Sequence, residues 1–194
     1  MTKYAPTLVD GADVLPVLLD DVKRHLRVDG DDEDATIEVY LRAAVTHLDG
    51  ATGWLGRAIV AQTWAQQFDT FERSIHLDLA PISSIVSVTY RDADGVTQTV
   101  DDSDYTLVNA NSAPELRFLG DYDFPVTQDQ RPVLIVTFVG GYGDDAATPE
   151  PIKVAIMLMV GDMYANREAK TEGGMLVNPT VRMLLDPYRT RWIA

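Results

Sequence analysis

The sequence predicts an α+β protein: a helical bundle of packed N-terminal and C-terminal helices, carrying an inserted antiparallel β barrel or sandwich domain. Three observations lead there. Ile37, Leu41, Ala44, Leu48 and Ala51 recur at alternating spacings of four and three residues, one apolar seam along a helix. Between residues 57 and 148, β-branched and aromatic residues come in short runs divided by glycine, proline and aspartate. From Pro149 the apolar period returns to that of a helix.

In chain order, residues 1–13 lack periodicity and are expected to form a loose arm. A short helix fits Leu19 to Leu26, with Asp20 and Asp21 at its positive end. The acidic run Asp29 to Asp34 caps a longer helix reaching Ala51 or Thr52. Gly50, Gly53 and Gly56 then surround Trp54 and Leu55 and end it.

Strands are expected at Ile59 to Phe68, around Ile75, Leu77 and Leu79, and at Ile85 to Tyr90. The last pairs with Val96 to Val100 across Asp92-Ala93-Asp94-Gly95, whose glycine suits the positive φ of a hairpin turn. Tyr105 to Val108, Leu116 to Leu119 and Val133 to Val139 bring the total to six or seven. A helix follows from Pro149 to about Ala169, then a mobile linker at Thr171 to Gly174 and a short helix from Pro179 to Leu185. The domains are accordingly 14–56 plus 149–177 for the helices, 57–148 for the β insertion and 178–194 for a C-terminal segment.

The chain has 194 residues, 46% of them apolar, enough to bury a core. With no cysteine, disulfides, thiol nucleophiles and thiolate metal sites are excluded. No signal segment opens the chain, and its longest apolar run, Val154 to Val160, falls far short of the roughly 20 residues of a membrane span. A soluble protein made in the cytoplasm is expected. The net charge of −14 opposes wrapping of nucleic acid, because such binding needs cations facing phosphates. The charge is uneven: residues 153–194 hold six basic and four acidic groups, leaving ten against 26 in the rest.

Candidate chemistry is sparse. His25, His47 and His76 stand apart, without carboxylate partners at metal or general-base spacing. Asp29 to Asp34 superficially resembles a calcium loop, but position six is Asp34 rather than glycine and position twelve is Tyr40 rather than glutamate. Val139-Gly140-Gly141-Tyr142-Gly143 lies between strand and helix yet matches no phosphate-loop pattern, and Asp144 and Asp145 would repel phosphate. It reads as a tight chain reversal. No catalytic residue, cofactor site or metal site is assigned.

Two segments point to assembly instead. The helix from Pro149 is apolar on more than one side, so Ile152, Ile156, Met159, Met163 and Tyr164 are assigned to contact between subunits. The C-terminal segment has two readings. It is a helix closing on its own core, or an arm docking into a partner, with Leu184, Leu185, Tyr188 and Trp192 as apolar anchors and Arg182, Arg189 and Arg191 as charged contacts.

The order of these features resembles the head–tail connector (adaptor) family of long-tailed phages and phage-like gene transfer agents. The residues carrying the resemblance are Thr52-Gly53-Trp54, Gln62-Thr63-Trp64, Tyr90 with Asp94-Gly95, Phe138 to Gly143, Tyr164-Ala165-Asn166-Arg167-Glu168 and Leu184-Leu185-Asp186-Pro187-Tyr188-Arg189. The resemblance implies a virion protein made in the bacterial cytoplasm and located in the particle neck. It would form a ring, commonly of twelve subunits, beneath the portal, and extend the DNA channel without sequence-specific DNA contacts. Its partners would be itself, the portal protein, reached by residues 179–194, and a downstream stopper or tail protein. No enzyme activity, cofactor or membrane is implied. The rival readings are another neck protein, such as a stopper or tail-completion protein, and a cellular β-domain binding module.

Overall fold

A computed structural model of the chain describes residues 2–111, 113–167 and 178–190. The fold is mixed α+β, and it divides into two compact units: Met1–Ala12 with Ala61–Tyr142, and Asp13–Val60 with Gly143–Ala194.

The first unit is built from strands β1 (Thr7–Asp10), β2 (Gln62–Phe68), β3 (Ser74–His76), β4 (Ile82–Arg91), β5 (Thr97–Thr99), β6 (Tyr105–Val108), β7 (Glu115–Phe118) and β8 (Leu134–Gly140). They form an antiparallel five-stranded sheet in the order β1-β2-β8-β4-β5 and a three-stranded sheet in the order β3-β7-β6. The larger sheet ends in two edges, β1 and β5, so it is open rather than a closed barrel. Strict alternation along β2 and β8 buries one face. There Trp64 pairs with Phe138, Gln66 with Val136 and Phe68 with Leu134.

Gln66 is fully buried yet satisfied. Its amide nitrogen donates to the Tyr4 carbonyl at 3.0 Å and to Asp78 Oδ2 at 2.8 Å, and its oxygen accepts from the Asp78 backbone N–H at 2.9 Å. One glutamine thus ties two chain segments, those of Tyr4 and Asp78, to the sheet.

The expected loose arm at 1–13 is corrected here. Thr7–Asp10 pairs with β2 as an edge strand, and Tyr4 N–H donates to the Gln67 carbonyl. All four residues of β1 are exposed, so they carry no burial-driven alternation for a sequence to display. Among the described residues the strands number eight rather than six or seven. The hairpin turn is as expected, with Gly95 at φ +79. Asp92 accepts from the N–H groups of Asp94 and Val96 and from the Gln98 side chain. These donors, Gln98 first, hold its carboxyl below the usual carboxylate range.

The second unit contains α1 (Leu19–Leu26), α2 (Asp34–Leu48), α3 (Glu150–Ala165) and α4 (Pro179–Leu185). α3 packs against the other three, and α1 packs on α2. The predicted seam is the core: Ile37, Leu41, Ala44 and Leu48 are buried, with Ile152, Ala155, Ile156 and Val160 of α3. α2 stops short of Ala51. Asp49 leaves helical geometry and its carboxylate accepts from Ile59 N–H at 2.7 Å, while Trp54 and Leu55 N–H groups satisfy the terminal carbonyls of His47 and Leu48. Ile59 and Val60, expected at the start of a strand, belong to this helical core.

The acidic run before α2 makes no side-chain cap at Glu33. Lys23 instead bridges Asp34 at 2.6 Å and Asp31 at 3.1 Å, and these two carboxylates, Asp34 first, raise its pKa. α3 ends at Ala165, where Asn166 N–H donates to the Asp162 carbonyl. The expected linker at Thr171 to Gly174, and Ala169, lie outside the described residues.

Candidate functional site

The three histidines are not brought together by the fold. His25, His47 and His76 are exposed and lie on α1, α2 and β3. No cluster of three or more His, Cys, Asp or Glu that could hold a metal occurs among the described residues. The nearest approach to one, Asp31 with Asp34, already holds the ammonium of Lys23. The glycine turn before α3 is a chain reversal, with Gly141 at φ +117 and Gly143 at φ +128. No described helix is long and apolar enough to cross a membrane.

The two assembly segments have defined geometry. On α3 the five assigned residues separate. Ile152 and Ile156 are completely buried within the chain, which corrects their assignment to a subunit contact: an isoleucine at 0% exposure has no surface to offer a neighbour. Met159, Met163 and Tyr164 are half-buried and reach the surface. Tyr164 lies under the Arg167 guanidinium at 4.7 Å, and Arg167 reaches Glu33 at 2.7 Å. Donation of a hydrogen bond to that carboxylate pushes the guanidinium pKa further up, so the end of α3 is pinned to the start of α2 by a charge-assisted contact.

The C-terminal segment folds onto its own unit as far as Thr190. Asn178 caps α4 by accepting from Thr180 N–H at 3.0 Å, with Pro179 in the first turn where its missing N–H costs nothing. Leu185 is 1% exposed and anchors the helix, so it too is withdrawn from the set of docking contacts. Leu184 and Tyr188 are half-buried, and Arg182 is exposed, 3.7 Å from Asp186. Arg189 lies 4.7 Å over the ring of Trp54, and Thr190 N–H donates to the Leu55 carbonyl at 2.8 Å. Arg191 and Trp192 lie outside the described residues.

Trp54 as the platform for the tail was not visible as such in the sequence. The available signal was a tryptophan set between Gly53 and Gly56 just after a helix, where nothing local would bury it. Also unforeseen is a cluster of rings in the β unit. Phe71 lies within 5.4–6.5 Å of Tyr90, Phe118, Tyr122 and Phe124, and Tyr122 stacks on Phe118 at 5.1 Å.

The described surface includes half-buried methionine and tyrosine on α3, an aromatic cluster in the β unit and a capped C-terminal helix. Residues 16–102, less than half of the chain, match the model of the Phage gp6-like head-tail connector protein family. The match takes in α1, α2 and strands β2 to β5 and leaves α3 and α4 outside it.

Solved structures share the whole fold. A chain of the neck of an empty GTA particle, computed with C6 symmetry, superposes with a TM-score of 0.77 at 21% identity, covering 97% of each chain. A chain of the virion of a native gene transfer agent (GTA) particle gives 0.76 at 22%, covering 98% of each. A chain of the neck of a native GTA particle, computed with C12 symmetry, gives 0.74 at 21%, covering 97% of each. No curated protein sequence matches the chain.

Proposed function

We propose that the chain is a structural virion subunit, a head–tail connector that forms a ring under the portal of a phage or phage-like particle, extends the DNA channel and joins head to neck and tail. The family match over residues 16–102 carries this reading. The full-length likeness to neck chains of gene transfer agents, described with C6 and C12 symmetry, supports a ring, with twelve copies the natural count. The work is passive and requires no reaction.

The helical unit, Asp13–Val60 with Gly143–Ala194, is the connector domain, with 178–194 as its docking segment, and Met1–Ala12 with Ala61–Tyr142 is the β-domain. In the β-domain, contact of Phe71 with both Tyr90 of β4 and Phe118 of β7 supports a sandwich of the two sheets. Between neighbouring subunits, Met159, Met163 and Tyr164 supply the contact and the buried Ile152 and Ile156 hold their helix in place. Toward the portal, Arg182, Leu184, Tyr188 and Arg189 act with Arg191 and Trp192. The body of the chain outside residues 153–194 is strongly acidic, which suits a wall past which DNA slides without adhering.

Electron microscopy of purified particles is the test. The chain should occupy one ring density between portal and tail. Particles that package DNA and join tails without containing it would refute the assignment.

A further inference from the structure

The N-terminal arm covers a sheet edge that would otherwise be open to another chain. In the order β1-β2-β8-β4-β5, β2 lies directly beneath β1. It runs seven residues, Gln62–Phe68, without charge, proline or glycine, and pairs with β8 in unbroken register. A regular, uncharged strand with unpaired backbone groups along one side is a template for a further strand. β1 occupies that side and is poorly suited to extend it. It has four residues, and its register slips between Leu8 and Asp10. Pro6 just before it has no N–H to offer, and Lys3 and Asp10 place charge near its two ends. At the far side of the sheet β5 is three residues long, with Asp92 and Asp94 before it and Asp101 and Asp102 after it, so that edge is blunt as well.

The arm is held by polar contacts rather than by burial. Of residues 2–10 only Pro6 is even half-buried. Tyr4 N–H donates to the Gln67 carbonyl at 3.0 Å, and Asp69 N–H to the Thr2 carbonyl at 3.1 Å. The Gln66 amide donates to the Tyr4 carbonyl, the Tyr4 hydroxyl to Asp69 Oδ1 at 3.0 Å, the Thr7 hydroxyl to the Ala65 carbonyl at 3.2 Å, and the Lys3 ammonium to Asp78 Oδ1. Exposed contacts of this kind contribute little each, so the arm can lift while the sheet beneath it stays intact.

We propose that residues 2–10 are a strap over a strand-pairing edge, and that lifting the strap lets β2 pair with β2 of a second copy. The edge is complementary to itself, because a strand placed antiparallel to its own copy across a two-fold axis exchanges hydrogen bonds in both directions. In a pairing centred on Ala65, the Asp69 of each strand falls opposite Ala61 rather than opposite a like charge. This surface is separate from the one that the connector reading uses.

The experiment uses the full chain. Lys3→Gln combined with Tyr4→Pro removes the ammonium, the hydroxyl and the N–H that hold the arm. Hydrogen exchange of residues 2–10 should rise to the rate of an open chain, with circular dichroism unchanged. Sedimentation velocity should show the associated fraction rising several-fold over wild type at equal concentration. An excess of a peptide of residues 2–11 should return it to the wild-type level, and the same peptide with Tyr4→Pro should not. Adding Ala65→Cys, which supplies the only thiol of the chain, should give a disulfide between copies in the released variant and far less of it with the arm intact. A released arm without association, association that the peptide does not reverse, or an arm that stays protected would overturn the proposal. So would loss of the whole fold, which would make the arm an integral strand rather than a cover. Each of these results leaves the connector reading standing.

Discussion

Replacing Gly53 by alanine should unfold the end of α2, although Gly53 has no special backbone dihedral to protect. A Cβ built there would lie 2.2 Å from the Asp49 carbonyl oxygen, 2.5 Å from that of Leu48 and 2.6 Å from the Asp49 carbonyl carbon. All three are backbone atoms, so no side-chain rotation relieves the overlap. The loop must move, and three hydrogen bonds move with it: Gly53 N–H to Gly50, Trp54 N–H to His47 and Leu55 N–H to Leu48. At about 1 kcal/mol net for each bond, the loss is roughly 2–4 kcal/mol. For a chain of this size that lowers Tm by roughly 5–15 °C. Gly120→Ala is the control, because a Cβ there meets nothing within 4 Å. Thermal melts followed by circular dichroism would measure both. A Gly53→Ala variant melting with the wild type would show that the loop yields freely and that the backbone contact does not hold it.

Further outcomes follow from the same structure. Ile156→Ala should cost about 2–5 kcal/mol of helical-unit stability in denaturant melts, the usual loss for a truncated buried isoleucine, whereas Met159→Asp should leave the monomer melt intact and reduce ring assembly by native mass spectrometry. Trp54→Ala should speed proteolysis after Arg189 by removing the ring on which that guanidinium rests; unchanged cleavage would leave the hydrogen bond of Thr190 as the sufficient anchor. The Asp92 carboxyl is lowered from 3.8, so its contribution is present above that pH and lost as pH falls through the folded value; hydrogen exchange at Val96 should accelerate there in the wild type and show no such step in Asp92→Asn. Lys23 is raised from 10.5, so its contribution is present below that pH and lost as pH rises through the folded value; alkaline melts of Lys23→Gln should lack that decline.

How far the sequence could be read depended on burial. α1 and α4 appear at their expected limits, and the α2 seam lies where a period of 3.6 places it, because each presents one face to a core. β1 was missed because no residue of it is buried, and an edge strand free on both sides obeys no alternation. α3 was misjudged in a related way. Five of its apolar positions were assigned to a contact between subunits, yet Ile152 and Ile156 among them are buried in a unit where α1, α2 and α4 all pack on α3. The tail posed two readings that composition could not separate, since Leu185 and Arg189 serve equally well as anchors inside or outside the subunit. Gly53 looks like Gly50 and Gly56 in sequence. Gly50 and Gly56 hold positive φ, whereas Gly53 is set apart by the approach of the Leu48 and Asp49 carbonyls.

The contact of Thr190 N–H with the Leu55 carbonyl, beside Arg189 on Trp54, also sets a mechanical path. A pull on the chain beyond Thr190 does not first peel α4 from α3. It is delivered to the loop of residues 50–57, and through the Trp54 and Leu55 amides into the last turn of α2, the longest helix of the N-terminal half. Tension arriving at the tail is therefore carried by the glycine loop and the last turn of α2 for as long as the Thr190 N–H bond to Leu55 holds.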